Sequence, residues 1–425
     1  MPFDMFSLAN LWSLARSRVP ARFRVWTLVF SAAAGCGGGA TRPGTADAAG
    51  GPDQSSGGGG VTATGGSRSG GSGGQTTGSG GATPDGGSPD GGSFDGSWSF
   101  APWPGANMVA VADAEDVFGT DLSGLVLQPA DGTSPSVLWG VHNRSGKLYR
   151  LTWNGTLFSP VTTDGWRTGK RMRYPGGDGQ PDCEGVTMAD WASGAVYVAA
   201  ERDDDSNTTS RLSILRYETA STATALTATH EWNLTADLPA VDANKGLEGI
   251  AWVPDSFLVA RGFFDEAAGK TYVPAEHPNH GTGLFFVGVE ADGRIHGYAL
   301  DHTAMTFRRV ASIAAPQEAT MDLFFDRDVG TLWSWCDDTC GNRVVLLDID
   351  SRAGSPTHGR FVPRRGFNRA GTLPNEGHEG IAIAPESECA AGADGTKTKA
   401  FVWADDSNTD GHALRRDLIP CGPLY

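Results

Sequence analysis

The sequence predicts an all-β protein, a five-bladed β-propeller that follows a long glycine-rich N-terminal segment. Two observations support this prediction. After about residue 107 the chain consists of short apolar stretches separated by turn residues, and no long stretch shows the 3.6-residue period of an amphipathic helix. The same part of the chain also repeats one unit five times, at intervals of about 60 to 72 residues.

Each repeat begins with a short apolar strand, and three of the five strands contain Glu-Gly at the same place. The first strands begin at Leu122, Cys183, Leu247, Ala319 and His378. The predicted second strands cover residues 138–143, 196–201, 257–261, 332–337 and 401–406. Third strands follow at 147–153, 211–217 and 343–348, and a fourth follows at 307–313. Four short antiparallel strands per repeat are typical of a propeller blade.

The ring needs one more strand to close. The last repeat has only three strands, and residues 108–117, ahead of the first repeat, can supply the fourth. Such a closure would leave no open sheet edge, so five blades are favoured and six blades are the alternative.

The net charge of the chain restricts the classes of function that are expected. The chain has 425 residues, with 33 basic and 49 acidic side chains and a formal net charge of −16. A general nucleic-acid-binding protein needs a basic face, so no nucleic-acid partner is expected. The acidic excess is compatible with cation binding and with solubility outside the cell.

Residues 1–36 are typical of an export signal. Four arginines between residues 16 and 24 precede an apolar run at 25–34, which is too short to span a bilayer as a helix. The run ends in Ala-Ala-Gly-Cys at residues 33–36, which resembles a bacterial lipobox in which Cys36 is lipidated, although Ala33 stands where Leu is usual. We therefore expect an exported protein, anchored to the membrane of the cell envelope. An ordinary signal peptide cleaved near Ala34 is the alternative.

Residues 37–97 consist mostly of Gly, Ser, Thr, Asp and Pro. Such a composition cannot bury enough apolar surface to offset the entropy lost on ordering, so this segment is expected to be a disordered tether. The propeller domain is expected to cover residues 98–425.

The cysteines predict two disulfides. In an exported chain, disulfides are the default for close pairs, and we expect Cys336–Cys340 and Cys389–Cys421, which leaves Cys183 unpaired. A zinc site built on Cys336 and Cys340 is the alternative, but it would need a second pair of ligands.

Topology brings acidic side chains together. In a propeller blade the second strand returns to the face where the first strand begins. Glu184, Glu248 and Glu379 stand at the starts of first strands. Ser123 and Thr320 replace them in the other two repeats, with Asp121 and Glu318 two residues earlier. The residues at or beside the ends of second strands are Asn143, Arg144, Glu201, Arg202, Arg261, Asp337, Asp405 and Asp406.

These carboxylates predict a calcium site. Converging carboxylates repel one another unless cations or arginines neutralise them, and Ca²⁺ accepts six to eight oxygen ligands. We expect Glu184, Glu201, Glu248 and Glu379 to be the metal ligands. The expected ligand-binding residues beside them are Asn143, Arg144, Arg202, Arg261, Asp337 and Asp405. The alternative is structural, with each Glu capping backbone amides around the channel.

A second calcium candidate lies near the end of the sequence. Asp406, Asn408, Asp410 and Asp417 fit the spacing of a calcium loop, although an Asp-Gly hairpin turn explains most of the same residues. In the third repeat, His277 and His280 have loose metal-ligand spacing, but a solvated loop is the favoured interpretation.

The Glu-Gly motifs also carry a family resemblance. Residues 182–185 followed by 197–202, together with 246–249 and 377–380, resemble the SdiA-regulated propellers and, more distantly, the phytase-like propellers. The resemblance covers about residues 107–420. It implies an extracytoplasmic propeller with a calcium site, and its phytase-like branch implies phosphoester hydrolysis. Lys170, Arg171 and Arg173 are candidates for the basic substrate-binding set of that branch, or else they are solvated charges.

Two functions therefore remain open. The first is a calcium-binding propeller that acts as a binding or scaffold module for a small-molecule or protein ligand. The second is a metal-dependent hydrolase, a phosphoesterase in which Glu184, Glu201 and Glu248 hold the metal and Arg202 or Arg261 binds an anion. Residues 98–425 contain no Gly-x-Ser-x-Gly nucleophile motif and no zinc-protease His pair, and the glycine runs of residues 37–97 lack the strand and helix context that such a motif requires.

Overall fold

The computed structural model describes residues 98–425, and these residues form a five-bladed β-propeller. The predicted fold class and blade number are confirmed. The predicted signal segment, Cys36 and the tether at 37–97 lie outside the described residues. No helix among residues 98–425 is long and apolar enough to cross a bilayer.

The strands of the first two blades follow the repeats. The strand ahead of the first repeat is β1 (Ala110–Val111). Blade 1 contains β2 (Leu122–Gln128), β3 (Val137–His142), β4 (Lys147–Trp153), β5 (Phe158–Pro160), β6 (Lys170–Arg173) and, from further along the chain, β10 (Ala225–Thr227). Blade 2 contains β7 (Pro181–Thr187), β8 (Ala195–Asp203), β9 (Ser210–Glu218) and β11 (His230–Asn233).

Blades 3 to 5 complete the ring. Blade 3 contains β12 (Leu247–Pro254), β15 (Gly283–Val289), β16 (Arg294–Leu300) and β17 (Phe307–Ala314). Blade 4 contains β18 (Asp322–Asp326), β19 (Thr331–Trp335), β20 (Val344–Ile349) and β21 (Phe361–Phe367). Blade 5 contains β22 (His378–Ile383), β23 (Ala390–Ala391), β24 (Lys397–Asp405) and β25 (Leu414–Pro420).

Helical turns lie in the loops between strands. The α-helix α1 (Asp255–Ala260) and the two-stranded ribbon of β13 (Phe264–Asp265) and β14 (Lys270–Thr271) interrupt blade 3. The 3₁₀ turns are Asp204–Ser206, Pro274–Glu276, Glu290–Asp292, Asp338–Cys340, Glu386–Glu388 and Thr409–Gly411.

The ring closes through β1, as predicted. Ala110 pairs with Arg416 and Val111 with Arg415 in an antiparallel ladder, so β1 becomes the fourth strand of blade 5. The segment before β1 adds a strap on blades 4 and 5. Its Trp103 ring lies 5.2 Å from that of Phe401, and its indole N–H donates to Asp417 at 2.9 Å.

One predicted strand is wrong. Residues 257–261 were expected to be the second strand of the third repeat, but most of them belong to α1 and the second strand is β15. Asp255 lies in the first turn of α1, where a negative charge is favourable. Pro254 stands just before the helix, where its ring costs nothing. An insertion at 255–282 therefore separates the first two strands of this blade.

Both predicted disulfides are confirmed. The Cα atoms of Cys336 and Cys340 are 5.8 Å apart, and those of Cys389 and Cys421 are 6.3 Å apart. Cys183 is buried and forms no disulfide with another cysteine of residues 98–425.

Candidate metal centre

The glutamates of the Glu-Gly motifs lie at irregularities in the first strands. The pairing of first and second strands shifts register at this position in blades 1, 2, 3 and 5. Such β-bulges re-aim a side chain and are frequent beside functional sites. They set Glu184, Glu248 and Glu379 at the start of the first strand, and Ser123 takes the same place in blade 1.

The glycine after each glutamate is required by close approach between blades. A Cβ atom on Gly185 would lie 2.5 Å from the carbonyl oxygen of Glu248, and one on Gly249 would lie 2.5 Å from the amide nitrogen of Leu323. Real Cβ atoms do not approach backbone so closely, so any side chain here would force neighbouring first strands apart. The repeated glycine therefore keeps the axis of the ring narrow below the glutamates.

Blade 4 departs from this pattern. Its first and second strands pair without a bulge, and the backbone of Asp322 faces Gly249 as the other glycine positions face their neighbours. Consequently Asp322 takes the glycine position, and Thr320 does not occupy the glutamate position that we predicted for it. The buried Asp322 carboxylate accepts hydrogen bonds from the amides of Ile381 at 2.7 Å and Leu323 at 2.8 Å, and also from that of Leu125. This one side chain therefore joins blades 4, 5 and 1.

The starts of first strands and the ends of second strands meet at one end of the ring, as predicted. We call this end the acidic mouth. It is defined by nine carboxylates that interact electrostatically with one another: Asp121, Asp182, Glu184, Glu201, Glu248, Glu290, Asp337, Glu379 and Asp406.

Three of these carboxylates form a compact group that we call the acidic triad. Asp182 and Glu184 come from β7 and Glu201 comes from β8, and one oxygen of each lies within 4.8 Å of the others. Their exposed fractions are 0%, 3% and 2%. Glu201 Oε2 accepts a hydrogen bond from the amide of Gly246 at 2.9 Å. Asp182 Oδ1 and Glu184 Oε2 have no hydrogen-bond partner among residues 98–425.

Arg202 partly neutralises the triad. Its Nη2 lies 2.5 Å from Asp182 Oδ2, and its Nη1 lies 3.1 Å from Glu201 Oε1. Its Nε is also 3.6 Å from Asp204 Oδ1. A single guanidinium thus faces several carboxylates, which leaves an excess of negative charge when all of them are ionised.

Burial makes ionisation of the triad costly. Desolvation raises the pKa of Asp182 to about 6 and that of Glu201 to about 8. Desolvation also raises the pKa of Glu184 well above its ordinary value, and the neighbouring Asp182, Glu201 and Glu379 charges act in the same direction. A buried carboxylate group of this kind needs protons or a cation to neutralise it.

The remaining mouth carboxylates surround the triad. Burial raises the pKa of Glu248 and Glu379 well above the ordinary range and that of Asp406 to about 6. Burial also raises the pKa of Glu290, although Lys245 lies 3.3 Å away. Of the four predicted metal ligands, Glu184 and Glu201 belong to the triad, whereas Glu248 and Glu379 lie in the wider mouth.

Sequence reasoning missed two mouth residues. Asp182 stands two positions before Glu184, and side chains two apart on a strand share a face, so the signal was present. Glu290 directly follows β15, as Asp337 comes shortly after β19. It was missed because the second strand of blade 3 was assigned to residues 257–261.

Three other predicted binding residues lie at or beside this mouth but already have protein partners. Arg144 forms an ion pair with Asp121 at 3.4 Å and is largely exposed, and the amide of Asn143 donates to the Asp121 carbonyl at 3.0 Å. Asp405 accepts from the amide of Ser407 at 3.1 Å and lies 3.8 Å from the Arg415 guanidinium.

Arg261 is placed elsewhere. It ends α1, which follows the final residue of the first strand in blade 3 and therefore lies at the opposite end of the ring. Its guanidinium is 3.6 Å from Asp348 and lies over the Phe257 ring at 5.4 Å. Its predicted position beside the carboxylates is therefore wrong, because residues 257–261 do not form the second strand.

The predicted calcium loop is not assembled. Asp417 lies on β25, buried, and its carboxylate accepts hydrogen bonds from Trp103 Nε1 at 2.9 Å and the Asn107 amide at 3.0 Å. Asn408 Nδ2 instead donates to Asp116 at 3.1 Å, and Asn408 and Asp410 adopt left-handed backbone conformations in a tight turn. The turn interpretation accounts for Asp406, Asn408 and Asp410 without a cation.

Two further expectations are corrected. His277 and His280 are buried instead of solvated, and they contact Asp265 and Asp255, each at 3.0 Å. Lys170 is buried on β6 at the outer part of blade 1, where its ammonium lies 4.1 Å from the Trp166 ring centre. Lys170 is therefore held within the protein, and Arg173 donates to the carbonyl oxygen of Gly179 at 2.6 Å.

Comparisons with known proteins show no family. No protein-family model matches the chain, and no curated protein matches it either. Among solved structures, a "putative 6-phosphogluconolactonase" from Bacteroides uniformis shares 12% identity over 73% of this chain and 74% of its own, with a TM-score of 0.34. A chain of the mitotic checkpoint complex shares 11% identity over 80% of this chain and 97% of its own, with a TM-score of 0.33. At these values neither similarity bears on activity.

Proposed function

We propose that the acidic mouth binds a divalent cation, and that this cation is Ca²⁺. The observation that supports the proposal is the acidic triad, in which three buried carboxylates converge and two of their oxygens have no hydrogen-bond partner among residues 98–425. Unpaired buried carboxylate oxygens are costly, and a bound cation would remove that cost.

The donor set favours Ca²⁺. Asp182, Glu184 and Glu201 offer only carboxylate oxygens, which suit a hard cation, whereas zinc prefers nitrogen and sulfur. Since Ca–O distances are about 2.3–2.6 Å, oxygens on opposite sides of the ion lie about 5 Å apart. One oxygen of each triad carboxylate lies within 4.8 Å of the others, so a single cation could contact all three side chains.

We further propose that the cation makes the propeller a binding or scaffold module. Glu201 already joins blade 2 to Gly246, just before β12 of blade 3, so a cation on the triad would fix this junction. It would also lower the repulsion that Glu248 and Glu379 experience from Glu184 and Glu201. A neutralised, rigid mouth is a suitable surface for a small-molecule or protein ligand.

The experiment is a calcium titration of the full chain after chelator treatment, followed by calorimetry and thermal melting. We expect saturable binding and a higher Tm, with stabilisation of about 2.7 kcal/mol at a hundred-fold excess over Kd. Glu184→Gln should weaken binding at least about ten-fold, because it removes one charged ligand of the triad. Glu218→Gln, on an exposed ion pair with Arg216, is the matched control. A Tm unchanged by calcium and by chelator would contradict the proposal.

A metal-dependent hydrolase is the second candidate, and Arg202 is the observation that favours it. Its guanidinium borders the proposed cation site and could hold an anionic group of a substrate such as a phosphoester. The test is a panel of phosphomonoesters, phosphodiesters and lactones with calcium present. Turnover that Glu184→Gln abolishes would support the hydrolase, whereas inertness across the panel would favour the binding module.

We also propose that the protein is exported and anchored through Cys36. The basic and apolar segments at residues 16–34 support this proposal, and both disulfides are compatible with an oxidising compartment. Detergent phase partitioning of the wild type and of Cys36→Ala tests it. The wild type should enter the detergent phase and Cys36→Ala should not, and equal partitioning of the two would contradict the anchor.

A further inference from the structure

A cavity lies at the end of the ring opposite the acidic mouth. We call this end the far mouth. The last residues of first strands and the loops after them surround a cavity of about 60 Å³. Its walls include Leu127, Trp191, Phe324, Ile383, Ala384 and Arg327. The lining is largely apolar, and its charged residues are Arg327, Asp326 and Asp328.

Arg327 is held in an aromatic clamp. Its guanidinium carbon lies 3.8 Å from the Trp191 ring centre and 4.6 Å from that of Trp252. Two of its N–H groups donate to backbone carbonyls, those of Ala189 at 3.2 Å and of Met188. Among residues 98–425, no carboxylate lies within ion-pair distance of this guanidinium. The side chain is half-buried, and only two of its five N–H groups are used in these hydrogen bonds, so donors remain for an anionic ligand.

The acidic side chains near Arg327 have other partners. Asp326 is paired with Lys399 at 2.6 Å, and Asp328 Oδ2 accepts from the Glu386 amide at 2.7 Å. Asp190 accepts from the Ala192 amide at 2.9 Å. Burial lowers the pKa of Arg327 to about 10, against the opposing effect of Asp190 and Asp328, so it stays charged at neutral pH.

We propose that the far mouth binds a short branched carboxylate, with the carboxylate on Arg327 and the alkyl group between Phe324, Ile383 and Ala384. Guanidinium groups bind carboxylates through two parallel N–H donors, and an apolar wall suits the alkyl group. A water needs about 10–15 Å³ of such volume, so the cavity holds roughly four to six non-hydrogen atoms. Isobutyrate is of this size, and binding of so small a ligand is expected with a Kd in the millimolar range.

The test compares isobutyrate with its uncharged amide on the full chain, using ligand-observed NMR and calorimetry. We expect isobutyrate to bind at least about ten-fold more tightly than isobutyramide, since only the acid pairs with Arg327. Equal binding of acid and amide, or no binding of isobutyrate to the folded protein at tens of millimolar, would overturn the proposal.

Two variants locate the site. Ala384→Leu fills the cavity but leaves Arg327 in place, and it should abolish isobutyrate binding. Arg327→Gln should weaken binding at least about ten-fold, provided that thermal melting shows a folded protein. Arg171→Gln, an exposed arginine on β6, is the control and should bind as the wild type does. Undiminished binding by folded Ala384→Leu would place the ligand elsewhere and contradict the assignment.

Discussion

The two mouths of the propeller differ in how their charged side chains are balanced. At the acidic mouth, nine carboxylates interact electrostatically, and among residues 98–425 Arg202 is the only arginine paired with the triad. At the far mouth, Arg327 fills the gap between Trp191 and Trp252, and the buried carboxylate Asp326 is paired with Lys399. At the far mouth a lysine of the protein thus neutralises the buried carboxylate, and Arg327 keeps a positive charge without an ion-pair partner among residues 98–425. The acidic mouth instead has an excess of negative charge that calls for a cation from solution.

One disulfide lies beside each mouth. Removing the two disulfides separately should give the largest expected losses in the free energy of unfolding. Cys389–Cys421, beside the far mouth, spans 32 residues, whereas Cys336–Cys340, beside the acidic mouth, spans 4. Loop-closure entropy predicts a loss of about 3–4 kcal/mol for the double serine variant of the first pair and about 2 kcal/mol for the second. Denaturant unfolding measures both. A larger loss at Cys336–Cys340 would show that covalent closure matters more at the acidic mouth.

Gly185→Ala tests the narrow axis that separates the mouths. Because its Cβ would lie 2.5 Å from the Glu248 carbonyl oxygen, we expect a loss of about 2–3 kcal/mol in the free energy of unfolding. Gly371→Ala is the control, since its Cβ meets only the Asn107 side chain at 3.3 Å. If both variants were equally stable, the first strands would not be as closely packed as described.

Asp322→Asn tests the side chain that closes the ring below the acidic mouth. The amide keeps the shape but replaces an acceptor oxygen with a donor that faces backbone N–H groups. We expect a loss of about 1–2 kcal/mol, measured by denaturant unfolding. The exposed Asp131→Asn is a suitable comparison. Stability equal to that of the wild type would mean that Asp322 does not hold blades 4, 5 and 1 together.

The dependence of Tm on pH should differ between the calcium-free and the calcium-bound protein. The carboxylates at the acidic mouth have raised pKa values in the folded protein, so the folded state binds more protons than the unfolded state. Without calcium, Tm should therefore fall as pH rises from about 5 to about 8, through the raised pKa values of Asp182, Asp406 and Glu201. With calcium the fall should be smaller, because the cation replaces the protons. A chelated protein whose Tm rises over this range would contradict these assignments.

Much of the fold could be predicted because most repeats carry a recognisable local sequence motif. Glu-Gly within a short apolar strand marks the first strand in three blades, and the missing fourth strand of blade 5 pointed to residues 108–117. The failure in blade 3 has a physical reason. Residues 257–261 are apolar enough for a strand, but Asp255 favours a helix start, and the true second strand lies beyond the insertion.

The site could be predicted only in part. Topology alone placed Glu184 and Glu201 at one mouth, but the choice between Glu248 and Asp182 as the third member of the group depends on distances. Asp322 could not be found from the motif, because blade 4 lacks the bulge and the glycine that define the other repeats. Spacing along the chain was misleading for Asp417, whose strand position removes it from the turn.

The cation at the acidic triad is the central claim, and anomalous diffraction from crystals of the full chain soaked in Tb³⁺ tests it most directly. Tb³⁺ is a hard, oxygen-seeking ion that replaces Ca²⁺ and scatters strongly. We predict one strong peak bounded by carboxylate oxygens of Asp182, Glu184 and Glu201, which disappears when Ca²⁺ is in excess. A soaked crystal with no peak at the triad, and with Arg202 still against Asp182 and Glu201, would contradict the claim.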